Sequence, residues 1–173
     1  MSRRHSQAAA RNREAILAVL ARRLPRPATV LEIGSGTGEH AVFFAARLPS
    51  STWQPSDPDP GSLASIAAWS EEAGLSNVLP PLRLDLLARA WRGQRCDALV
   101  AVNVLHVAPA GAAAALLDGA GEVLPRGGFL FVAGPFGDEE LEALVAAARE
   151  RDLAHEETVG IPDGCRVVVL SRK

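Results

Sequence analysis

The chain has 173 residues, a formal net charge of −2 and 48% apolar residues. That length suits a single domain spanning 1–173, and the apolar content supplies a sizeable core. The near-neutral balance gives no general attraction to nucleic acid, and no apolar run is long enough to span a membrane. Positive charge is almost all Arg, with Lys173 the only Lys. Cys96 and Cys165 stand apart, without a CxxC or metal spacing, so reduced thiols, no metal site and a cytoplasmic location are expected. No signal peptide is visible.

Met1 to Arg26 is Arg-rich, with Glu14 as its only acid. A transit peptide or a nucleic-acid arm would share that composition. Ile16, Val19, Leu20 and Leu24 recur at helical spacing, however. They predict a helix with a buried stripe and arginines on its solvated face. Thr29 to Ile33 reads as the first strand, and Thr37 to Leu48 as its helix, stopped by Pro49. Thr52 to Ser56 reads as the second strand. Asp59-Pro60 opens a helix that ends before Gly74. Val78 to Asp85 reads as a third strand, at a sheet edge because of Pro80 and Pro81.

Asp97 to Val104 is strongly apolar, as a central parallel strand should be. Pro109 to Leu124 follows as an Ala-rich helix, then Phe129 to Ala133 as a strand. Asp138 to Arg151 predicts an amphipathic helix with Leu141, Leu144, Val145 and Ala148 inside. Glu156 to Ile161 and Cys165 to Ser171 read as two strands joined by the turn Pro162-Asp163-Gly164. The alternation predicts an α/β fold: a doubly wound, mostly parallel sheet of seven strands. The terminal hairpin is expected to add an antiparallel strand at one edge, an ending that dinucleotide dehydrogenase domains lack.

The run from Val30 to Glu39 is the most informative segment. An apolar strand ends in Glu32-Ile33, and glycines follow at Gly34, Gly36 and Gly38. A strand, a glycine turn and a helix N-terminus together form a receptor for nucleotide-like ligands. A dinucleotide site wants G-x-G-x-x-G. Here the third glycine comes one residue early, and Glu39 stands where that motif has Gly. E-x-G-x-G-x-G resembles the first motif of class I S-adenosylmethionine (SAM) methyltransferases. SAM has no pyrophosphate to cradle, and its cationic groups tolerate a carboxylate such as Glu32.

Ligands of open α/β sheets sit at the carboxyl ends of the strands. The first strand therefore contributes Glu32, Gly34, Ser35, Gly36 and Gly38 to the expected cofactor set. The second contributes Asp57, about twenty residues past the turn, where an acid can accept from ribose hydroxyls. Asp57 also lies in the turn-like Asp57-Pro58-Asp59-Pro60, in which Asp59 is the expected helix cap. Asp85 ends the third strand, either against an adenine amino group or as the N-cap of Leu86 to Trp91. Asn103 ends the fourth strand and can bond the methionine part of the cofactor. His106 follows near the expected methyl acceptor and is the candidate acid–base residue. His40 is expected to be structural. The chain has no Tyr. Methyl transfer to a neutral nitrogen or sulfur can nevertheless run on alignment alone.

Beyond the glycine turn, several segments resemble one family: Ala9 to Glu14, Val30 to Phe44, Thr52-Trp53-Gln54-Pro55-Ser56-Asp57-Pro58, Ser65 to Trp69, and Leu124 to Gly128. The sequence is similar there to the uncharacterised class I methyltransferase-like family of methyltransferase-like protein 26 (domain of unknown function 938), from about Ser6 to Pro135. The resemblance implies a Rossmann-like SAM-binding fold and no particular substrate. It further implies that the N-terminal helix, within residues 1–26, packs over the cofactor side, with Asn12 either a contact or a solvated residue. One departure is the short Gly134-Pro135-Phe136-Gly137 connection, where relatives carry a longer stretch that covers the acceptor site.

The reading that follows is a SAM-dependent methyltransferase acting on a small acceptor, without nucleic-acid or membrane partners. The alternative is a non-catalytic SAM or S-adenosylhomocysteine-binding protein with a partner over the open acceptor side. A third reading, an NAD(P)-dependent oxidoreductase, is disfavoured by Glu39 and the terminal hairpin.

Overall fold

A computed structural model describes residues 3–88, 91 and 93–173. Helix α1 (Gln7–Arg23) leads into an alternating chain. Next come β1 (Ala28–Ile33), α2 (Glu39–Arg47), β2 (Ser51–Asp57), α3 (Pro60–Ala73) and β3 (Leu82–Arg83). The second half is β4 (Ala98–Val102), α4 (Ala112–Val123), β5 (Phe129–Gly134), α5 (Asp138–Arg149), β6 (Leu153–Ile161) and β7 (Cys165–Arg172). Seven strands form one sheet in the order β3-β2-β1-β4-β5-β7-β6. The first five are parallel, and β7 runs antiparallel to both of its neighbours.

The expected seven-stranded, doubly wound sheet with a terminal hairpin is therefore present. The hairpin sits at one edge, as expected. The antiparallel strand β7 lies inside, and β6 forms the edge. Burial explains this order. Val167 to Leu170 of β7 are fully buried, whereas His155, Glu156 and Gly160 of β6 are exposed. A bulge between His155 and Glu157 further blunts the β6 edge.

The third strand is shorter than expected. Val78 makes one isolated bridge to Trp53, and pairing resumes only at Leu82 and Arg83. Pro80 and Pro81 cannot donate to a ladder, and they break it. Of the segment Leu86 to Trp91, residues 89 and 90 lie outside the described residues, as do residues 1 and 2 of the N-terminal segment.

Local signals set the helix ends. Asp59 accepts a hydrogen bond from Ser62 N at 2.8 Å and caps α3 as expected, while Gly74 closes it in the left-handed conformation. Gly38 precedes α2 at φ +92°, and a Cβ there would lie 2.8 Å from Ile66 Cα. Glycine at this position lets α2 and α3 approach.

Strand residues alternate between two buried faces. Leu31, Leu99, Leu130 and Val168 pack towards Leu116 and Leu117 of α4 and Leu144 of α5. Val30, Val100, Phe131 and Val169 pack on the other side with Phe43 and Phe44 of α2. Ile16, Val19, Leu20 and Leu24 join this second layer, as the helical stripe predicted. The arginines of α1 are more engaged than a merely solvated face. Arg22 and Arg23 reach Glu157 at 3.0 and 2.7 Å, and Arg11 reaches Asp163 at 2.8 Å. The pairs of Arg11 and Arg22 reach water and contribute little individually, while that of Arg23 is half-buried.

Candidate functional site

A cavity of about 470 Å³ opens where β1, β2, β3 and β4 end. Gly34, Gly36, Asp57, Asp85 and Asn103 all line it. Apolar walls come from Leu84, Leu86, Leu87, Val104, Val107 and Pro109. Val107 is 84% exposed and Leu87 42%, so large apolar side chains stand open at this rim. Neither was picked out from sequence, because exposure is not a local sequence property.

The glycine turn is held from within. Gly34 and Gly36 have φ of +63° and +55°, and a Cβ on Gly34 would lie 2.8 Å from Val104 Cγ2. Ser35 N donates to Ser56 O at 2.8 Å, and Gly38 N donates to Ser35 O at 2.9 Å. Gly36 N donates to Asp57 Oδ2 at 2.9 Å. The backbone donors that a dinucleotide turn would aim at a pyrophosphate are thus already engaged.

Asp57 is buried and also accepts from Asp59 N at 3.0 Å. It belongs to a turn and also stands on the cavity wall. Asp85 does the same, accepting from Leu87 N at 2.9 Å as a capping residue would while lining the cavity. Asn103 adopts φ +56°, a left-handed conformation that Asn tolerates better than most residues. Its N–H donates to Ala133 O at 2.8 Å, which fixes it at the end of β4.

The other members of the expected set lie elsewhere. Glu32 is 2% exposed and is absent from the cavity wall. Its Oε2 accepts from Trp53 Nε1 at 2.8 Å. Burial raises its pKa from an ordinary 4.5 to about 7, against the opposing hydrogen bonds of Trp53 and Ser35. Ser35 is buried, and its hydroxyl accepts from Ser56 N at 3.2 Å, pinning the turn to β2. Gly38 faces α3. His106 stands outside this cavity, over the end of β5. Its ring centroid is 5.1 Å from that of Phe136, and a Cβ on Gly134 would collide with its Nε2.

Two further elements surround the turn. Asn12 is buried rather than solvated, and its Oδ1 lies 2.9 Å from His40 Nε2. His40 stacks on Phe44 at 5.3 Å, and burial lowers its pKa to about 4, so it is a structural histidine as expected. Residues ahead of α1 cross α3: Arg4 N donates to Ser65 Oγ, and Trp69 Nε1 donates to Arg4 O, both at 2.9 Å. The Ser6 backbone N–H donates to Glu39. Sequence spacing gave no signal for these distant pairings.

Solved structures share this architecture. An O-methyltransferase family protein from Burkholderia thailandensis superposes with a TM-score of 0.78 at 19% identity, over 96% of this chain and 57% of its own. TrmN from Thermus thermophilus gives 0.74 at 24% identity, over 93% of this chain and 48% of its own. The S-adenosylmethionine-dependent methyltransferase SibL, in its apo form, gives 0.76 at 20% identity, over 95% and 55%. The chain spans about half the length of these proteins, and the likeness establishes a class I, Rossmann-like methyltransferase fold. Residues 3–140 match the family described as a protein of unknown function, DUF938. The chain therefore belongs to the DUF938 family.

Proposed function

We propose that the chain is a cytoplasmic SAM-dependent methyltransferase acting on a small acceptor, akin to methyltransferase-like protein 26. The observation that carries this reading is the chemistry of the cavity wall. It presents the carboxylates of Asp57 and Asp85 between apolar surfaces, and no Lys or Arg is among its described lining residues. Such a wall suits a cationic ligand with ribose hydroxyls and an adenine ring. It does not suit a phosphate, and the turn's engaged N–H groups point the same way.

SAM, when bound, supplies a methyl group already activated by its sulfonium. In this reading Asp57 accepts from the ribose hydroxyls, Asp85 faces the adenine amino group and Asn103 holds the methionine part. Gly34 and Gly36 allow close approach. Glu32, Ser35 and Gly38 act one layer deeper, by fixing the turn. Titration calorimetry should show S-adenosylhomocysteine binding and no heat with NAD. Heat with NAD and none with S-adenosylhomocysteine would sink the proposal.

His106 is the side chain proposed to take a proton from the acceptor. His106→Ala should lower turnover of labelled SAM on small acceptors by roughly a hundredfold or more, with S-adenosylhomocysteine affinity unchanged. Unchanged turnover in a stably folded variant would leave alignment as the whole catalytic account. The second reading, a non-catalytic binder with a partner, draws on the short connection after β5. Only residues 135–137 separate Gly134 from Asp138. Cofactor binding without turnover on any acceptor would favour it.

A further inference from the structure

Arg3 to Ser6 form a strap along α3, ahead of the first turn of α1. Both backbone groups of Arg4 are engaged, its N–H by Ser65 Oγ and its carbonyl by Trp69 Nε1. The Arg3 guanidinium lies 4.4 Å from the Trp69 ring centroid and 2.7 Å from Glu72. The His5 ring packs edge-on against the same indole, with centroids 5.1 Å apart. None of these four residues is among the described residues lining the cavity. The strap reaches the site only through other residues.

Those residues lead to both turns of the cofactor wall. Ser65 is 1% exposed, and its hydroxyl accepts from Arg4 N at 2.9 Å while donating to Thr37 O at 2.7 Å. One hydroxyl thus joins the strap to the glycine turn. The Glu39 side chain is 10% exposed and lies 3.3 Å from His5 Nδ1. Its carboxylate accepts from Ser6 N and, at 3.2 Å, from the Thr37 hydroxyl. The glycine of a dinucleotide motif would offer Ser6 no such acceptor, and bonds to a carboxylate are the stronger kind. On the other side, Arg4 donates to Asp59 at 3.3 Å, and Asp59 N donates to Asp57 Oδ1 at 3.0 Å. The Arg4–Asp59 pair is exposed and weak alone, so the fastening rests on Glu39 and Ser65. A turn with Gly34, Gly36 and Gly38 has much backbone freedom to lose. Fixing it beforehand lowers the cost of ordering it around a ligand.

We propose that Glu39 and Ser65 are positioning residues for the cofactor: they fasten the strap, and the fastened strap holds the two turns in the arrangement that receives SAM. The proposal rests on the methyltransferase reading of the cavity.

Calorimetry with S-adenosylhomocysteine and amide hydrogen exchange on the full chain test it together. Glu39→Ala and Ser65→Ala should each weaken S-adenosylhomocysteine by roughly fivefold or more, a usual size for coupling between distinct sites. Glu39→Gln keeps an acceptor for Ser6 N and should bind like the parent. Coupling is reciprocal, so saturating S-adenosylhomocysteine should slow exchange of the Arg4 and Ser6 amides in the parent by a similar factor, although neither residue lines the cavity. Ser65→Ala also frees the Thr37 carbonyl, so the Glu39 pair and the exchange rates carry the distinction from local damage. Parental affinity in both alanine variants, exchange at Arg4 and Ser6 indifferent to S-adenosylhomocysteine, or a Gln variant as weak as Glu39→Ala would each overturn the positioning role alone. A parent that does not bind S-adenosylhomocysteine sinks the methyltransferase reading, and the positioning role with it.

Discussion

Asp57→Ala should weaken S-adenosylhomocysteine binding by roughly ten- to a hundredfold. A carboxylate bonded to ribose hydroxyls contributes roughly 1.5–3 kcal/mol, as hydrogen bonds to charged groups do. The carboxylate already serves Gly36 N and Asp59 N. Its remaining lone pairs leave room for hydroxyl donors. The same substitution strands the Gly36 N–H, so stability should also fall, by about 1–3 kcal/mol. A cofactor analogue lacking the ribose hydroxyls separates the two effects. The parent should bind the analogue less well than S-adenosylhomocysteine, and Asp57→Ala should not distinguish them. Equal discrimination by parent and variant would reduce Asp57 to a turn residue.

The parts of the fold that rest on local patterns were legible in the sequence. Asp59-Pro60 and Gly74 bracket α3 because capping depends on neighbouring residues. The placement of β7 inside β6 was not legible, because strand order is settled by long-range burial. At the site, Gly34, Gly36, Asp57, Asp85 and Asn103 could be placed on one wall by counting to strand ends. Glu32 could not be placed in this way. Val30 pairs in register with Trp53, and Glu32 lies two residues beyond Val30 on the same strand face. That face packs on α2, so the Glu32 carboxylate meets the Trp53 indole beneath the turn rather than the cavity. Two-residue periodicity carries this information only once the register is known. Asn12 and His40 teach the same lesson for helices: their hydrogen bond joins α1 to α2 across 28 residues.

Glu32→Gln and His40→Gln should each expose a pH dependence of stability that the parent conceals. Glu32 titrates at about 7 in the folded chain, against an ordinary 4.5. The folded state therefore holds the extra proton between these values, and stability falls as pH rises from 4.5 to 7, by about 3 kcal/mol in all. His40 works in the opposite sense. Its pKa is lowered from 6.5 to about 4 by burial, so the unfolded state binds the extra proton. Stability then falls as pH drops from 6.5 to 4, again by about 3 kcal/mol. The two slopes oppose each other where the windows overlap, between 4.5 and 6.5. In Glu32→Gln the His40 slope stands alone, and stability should rise with pH through that overlap. In His40→Gln it should fall with pH. Each Gln retains an amide able to keep the bond to Trp53 or Asn12. Urea unfolding across this range, read as the difference between variant and parent, removes the background of the other carboxylates. A Glu32→Gln curve parallel to the parent's would mean that the Trp53 and Ser35 hydrogen bonds hold Glu32 ionised despite its burial. The turn would then rest on a buried anion, and a cationic ligand next to it would gain an attraction that a neutral Glu32 does not offer.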